Sequence, residues 1–160
     1  MKVAAIGSNG PLTRSEWLML LSGGLGVLHH VDHILRFDHS GWPFRDIVTP
    51  LTYSLMVYPL LAVAFFWRSG GWSRFAIVLL IFLLTQSAHI FLETPGQQYG
   101  VWANNASCTT GNAAGMPNLL RLRSPLMGVA AVLLSIALSG VLIATCVSLF
   151  IDARRPSKAD

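Results

Sequence analysis

The sequence predicts an all-α membrane protein, a bundle of four transmembrane helices with both termini in the cytoplasm and a long outer loop between helices three and four. Three observations predict it. Hydrophobic residues make up 53% of the 160 and charged residues only 11%, with a mean hydropathy of +0.57, against about 25% charged residues in a soluble domain. The apolar residues are gathered into four long runs, at about 17–36, 50–67, 75–93 and 125–151. Since a spanning helix needs roughly 20 residues, that length holds one bundle and no large soluble domain, so residues 1–160 read as a single transmembrane domain.

The first run, from Trp17 to Arg36, follows a basic N-terminus that has neither an adjoining apolar core nor a small-residue cleavage site, and it reads as an uncleaved signal anchor. Thr49 before Pro50 places a capping hydroxyl ahead of a proline at the start of the second run, and Ser124 before Pro125 does the same for the fourth. Pro59, inside the second run, is expected to kink it. The short, Gly-rich connection RSGGWSR makes the second and third helices antiparallel neighbours. Residues 94–124, rich in Gly, Asn, Thr and Pro, read as a long outer loop, and loops of that size are functional or flexible.

Seven basic residues (Lys2, Arg14, Arg68, Arg74, Arg154, Arg155, Lys158) fall on one side of the spans and four (Arg36, Arg45, Arg121, Arg123) on the other. That asymmetry places both termini in the cytoplasm and suits a plasma membrane of the bacterial inner-membrane type. Trp17, Trp67 and Trp72 would form the inner aromatic belt, and Trp42 and Trp102 the outer one. The net charge of +4 is spread over loops and ends, not over one helix face, which argues against nucleic acid as a partner. The partners expected are the lipid bilayer and a second copy or a larger membrane complex. Cys108 and Cys146 fall at opposite depths, so no disulfide is expected between them.

The chemistry concentrates at the outer end. His29, Asp32, His33 and Arg36 stand at i, i+3, i+4 and i+7 and share one face of the first helix; Gln86, His89 and Glu93 share one face of the third. Ionisable groups inside a membrane segment are costly and mark function. His30 and His39 leave the stripe and read as interfacial. Thr49, Thr52 and Tyr53 sit at the height needed to hydrogen-bond to the site.

Two histidines at i, i+4 with a third from another helix, His29, His33 and His89, plus Asp32 and Glu93, make a nitrogen and oxygen set suited to a transition metal such as Zn, Fe or Cu. The leading expectation is therefore an outward-facing metal site in a membrane metalloprotein. Were it an enzyme, Asp32 and Glu93 would be the candidates for catalytic proton transfer. A b-type haem between His33 or His29 and His89, with Gly23, Gly24 and Gly26 making room for the ring, is the alternative.

Proton-linked transport is a third reading, with histidines changing charge beside carboxylates. It also requires a polar group near the cytoplasmic ends, which the sequence does not display. An accessory subunit of a membrane complex, binding through the outer loop, is the fourth. Gly128, Ala131, Ser135 and Ser139 on the fourth helix form a small-residue packing seam.

Overall fold

The computed structural model describes residues 11–36, 53–67, 70–107 and 115–155. Among these residues the chain is all-helical: α1 (Arg14–Arg36), α2 (Val57–Phe66), α3 (Gly71–Phe91), α4 (Pro95–Asn104) and α5 (Pro125–Arg154). Three of them, α1, α3 and α5, are long and apolar enough to cross a membrane. The 30 residues of α5 extend about 45 Å, longer than the ~30 Å hydrocarbon core.

α5 is the central helix, packed against α1, α3 and α4. It meets α1 antiparallel, as paired side chains along the contact show. Ser15 bonds to Asp152, the Ser22 and Thr145 hydroxyls lie 3.2 Å apart, and His29 Nδ1 lies 3.4 Å from Ser135 Oγ. The face that α1 turns inward runs through Ser15, Met19, Ser22, Gly26, His29 and Arg36, in steps of three and four residues or their sum. That is the spacing at which one helix keeps a single seam on a neighbour. α3 also runs antiparallel to α5, with Gly71 against Ala153 and Gln86 donating to Ser139 at 2.9 Å. The apolar core between α1, α2, α3 and α5 is built on Met19, Ala64, Val78, Ile81, Leu138, Leu142 and Leu149. The outward faces stay apolar, with Leu133 and Ile136 of α5, Leu83 and Leu84 of α3 and Leu28 of α1 about half exposed or more. Patches of that kind are a liability in water and ordinary against lipid.

Among the described residues of the second apolar run, Tyr53 and Ser54 are helical, Leu55 and Met56 form a turn, and α2 follows over Val57–Phe66, about 15 Å long. Pro59 lies in the first turn of α2, and the turn before it includes Leu55, whose carbonyl the missing N–H of Pro59 would otherwise have engaged. Thr49 and Pro50 lie outside the described residues. The 94–124 segment, in turn, is not simply a loop, because it contains α4.

α4 starts where the sequence signals it. Thr94 accepts from the Gln97 backbone, the Gln97 side chain accepts from the Thr94 backbone, and Pro95 follows at the first position. It ends at Asn105, whose left-handed φ of 52° closes the helix. Gly128 lets α4 approach α5, because a Cβ there would come within 2.8 Å of the Tyr99 carbonyl oxygen. Thr94→Ala is expected to destabilise α4 by about 1 kcal/mol. Faster amide exchange at Gln97 and Gln98, with α1 unaffected, is the measurement that checks it.

Candidate functional site

The C-terminal end of α1 and the C-terminal end of α3 meet beneath α4, and a buried polar cluster lies at the junction. Arg36 is fully buried. Its Nε donates to Asp32 Oδ2 at 2.7 Å, and its Nη1 donates to Glu93 Oε1. His33 Nε2 stands 3.4 Å from the other Glu93 oxygen. One guanidinium is thus held between two carboxylates, with an imidazole on the far side of one of them. Burial raises the Glu93 carboxyl above its usual range, and the charge of Arg36 opposes that shift.

A second group adjoins the first. The His29 and His89 rings meet edge-on with centroids 5.0 Å apart. His89 Nδ1 lies 3.0 Å from the Gln98 side-chain nitrogen, and the Gln98 oxygen accepts from Ser135 at 2.8 Å. Gln98 is fully buried and ties α3 to α5. Trp102, also fully buried, donates its indole N–H to Asp32 Oδ1 at 2.9 Å. α4 therefore roofs the cluster and hydrogen-bonds to both halves of it. The segment after α4 fastens the roof: the Asn118 side chain donates to the carbonyls of Val101 and Leu122 at 3.3 and 2.7 Å, and Leu119 N–H donates to Leu35 O at 2.9 Å.

The predicted residues His29, Asp32, His33, His89 and Glu93 do come together with Arg36. Gln86 does not join them and turns to Ser139. His30 is not an interfacial bystander: it is buried, with Nε2 2.7 Å from the Ser54 hydroxyl and Nδ1 2.7 Å from the Tyr58 hydroxyl, and so it fastens α1 to α2. Tyr53, expected to support the site, is 71% exposed; Ser54 and Tyr58 supply the hydroxyls from that helix instead. Thr49, Thr52 and His39 lie outside the described residues. Trp102 is not a belt residue, whereas Trp17, Trp67 and Trp72 are exposed as a belt requires.

The described geometry lends no support to the metal expectation. Among the described residues no group of three or more His, Cys, Asp or Glu side chains is placed to hold a metal ion. Arg36 occupies the carboxylates that a cation would need, and Gln98 occupies His89 Nδ1. The His29 and His89 rings are at contact separation, with no slab for a macrocycle between them. The space at the glycines is lined by α2: a Cβ on Gly23 would meet Leu61 at 3.4 Å and one on Gly26 would meet Tyr58 at 3.8 Å.

The opposite end is polar as well, which the sequence did not lead one to expect. Glu16 is buried with Arg74 Nη2 at 4.0 Å, Ser15 is buried against Asp152, and Arg74 Nε donates to Ala64 O at 2.8 Å. These residues come from three separate helix ends, and each one alone looks like an ordinary flank. In comparisons with family models, curated proteins and solved structures, no match to this chain is found.

Proposed function

We propose that this is a four-span protein of a bacterial-type plasma membrane, with both termini cytoplasmic, whose outer-end cluster takes up and releases a proton in a transport or gating cycle. The observation that carries the reading is the buried Arg36 held between Asp32 and Glu93, with His33 on Glu93's second oxygen. Among the described residues this arrangement places two carboxylates on one guanidinium, and a proton on Glu93 or His33 balances the charge at low dielectric cost. Moving that proton between them changes the attraction that holds the end of α3 to α1. The polar inner end, with Glu16, Arg74 and Asp152, supplies the counterpart that a proton pathway needs, and the Ser22–Thr145 hydroxyl pair stands between the two ends. For the orientation, Arg36 and Arg74 sit against carboxylates inside the protein. The other basic residues remain asymmetric, six to three, in favour of cytoplasmic termini.

The test is a pH gradient imposed on proteoliposomes that enclose a pH-sensitive dye. The protein is expected to accelerate decay of the gradient. Glu93→Gln, which keeps the shape and cannot ionise, is expected to slow it roughly a hundredfold, the low end of what one positioned proton-transfer group contributes. Flux no faster than in protein-free liposomes, or equal in the variant, overturns the reading. So does a stoichiometric metal or a haem absorption band in the same preparation.

A further inference from the structure

At the end of the molecule opposite the cluster, the start of α1, the start of α3 and the end of α5 border a half-open cavity of about 370 Å³. Three arginines, Arg14, Arg74 and Arg155, line it with the hydroxyls of Thr13 and Ser148, against one carboxylate, Asp152. Asp152 is engaged within the protein, by Ser15 and by Arg155 Nη1 at 3.5 Å. Arg74 also lies against the buried Glu16, at 4.0 Å, so three guanidiniums meet two carboxylates and one excess positive charge is left at the lining, carried by the group that binds phosphate oxygens in a fork. Ile151 adds an apolar wall. Trp17 and Trp72, both more than half exposed, stand near the same helix ends, and exposed tryptophans of this kind sit at headgroup depth.

We propose that this cavity binds the phosphate of an anionic phospholipid headgroup, with Arg14 and Arg155 closing on its oxygens over the base formed by Arg74 and Ser148. Three features select a lipid over a dissolved anion: the cavity's place at a helix-end rim, its apolar wall and the neighbouring tryptophans. Basic pockets between spanning helices are a recurrent way of holding such headgroups. The site shares Arg74 and Asp152 with the inner end of the proposed proton pathway, but lipid retention is read without any proton flux and whichever side of the membrane this end faces.

The test uses the full chain in neutral detergent, with phosphatidylglycerol and phosphatidylcholine supplied at equal concentration and bound lipid counted by native mass spectrometry. Preferential retention of one phosphatidylglycerol is expected. In the double variant Arg14→Gln, Arg155→Gln, both of whose sites are exposed, that preference should fall roughly tenfold or more. Arg154→Gln, which removes a guanidinium placed over the Phe150 ring 4.6 Å away and outside the cavity, should leave it unchanged. A parallel titration with inorganic phosphate separates the two sources of the same chemistry. Phosphate binding that the double variant abolishes, without lipid preference, would retain the phosphate site and overturn the lipid. Equal retention of both lipids together with no phosphate binding, or a preference unaltered in the double variant, overturns the proposal.

Discussion

Arg36→Met is expected to destabilise the protein by about 3–5 kcal/mol, the cost of leaving buried charge without its partner. Arg36 is fully buried and contacts both Asp32 and Glu93, so its removal strands two carboxylates, of which Glu93 is itself 7% exposed. The double variant Arg36→Met, Glu93→Met is expected to recover much of the loss, because a buried ion pair replaced by apolar side chains of similar size is often nearly neutral. Denaturant or thermal unfolding in detergent, read as a double-mutant cycle, measures the coupling between the two residues. Additive effects of the two single changes would show that the cluster is solvated and that the pair does not hold α3 to α1.

Trp102→Ala is the second large effect, expected at about 3–5 kcal/mol for a fully buried aromatic side chain. Trp102→Phe separates packing from hydrogen bonding. It keeps most of the volume and deprives Asp32 Oδ1 of the indole donor 2.9 Å away, at an expected cost of about 1–3 kcal/mol. The two variants should also differ in where they act. The alanine variant should lift all of α4, seen as amide exchange across Pro95–Asn104, whereas the phenylalanine variant should leave α4 protected. Full protection of α4 in the alanine variant would mean that Asn118 and Gln98 alone fasten the roof.

The site was partly legible because helical spacing carries over into space. His29, Asp32, His33 and Arg36 fall on one stripe of α1 by counting alone, and His89 and Glu93 return to the same level from α3. The same counting failed for Gln86 and Glu93 as a pair: α3 ends at Phe91, so Glu93 lies beyond the helix, where a seven-residue step no longer fixes direction. His30 was misread because its partners, Tyr58 of α2 and Ser54 just before it, belong to a segment whose placement counting along α1 cannot give. α4 was hidden in plain composition. Its Gly, Gln and Asn content reads as loop, and its apolar residues Val101 and Trp102 are too few to make a stripe. The signal that could have found it is Thr94-Pro95 followed by Gln97, a capping pattern of the same type as the one recognised at Ser124-Pro125.

The pairs between α1 and α5 recur every seven residues along α1, and after seven and then ten along α5, at Ser15 with Asp152, Ser22 with Thr145 and His29 with Ser135. They act as graduation marks on two rulers laid head to tail. Sliding α1 by a single turn would break all three at once and set polar atoms against Met19, Leu138 and Leu142, which are themselves buried. This pair of helices is therefore the stator of the proposed cycle. In that proposal displacement falls to the end of α3, where the Arg36–Glu93 tie to α1 is electrostatic and so changes strength with a single proton.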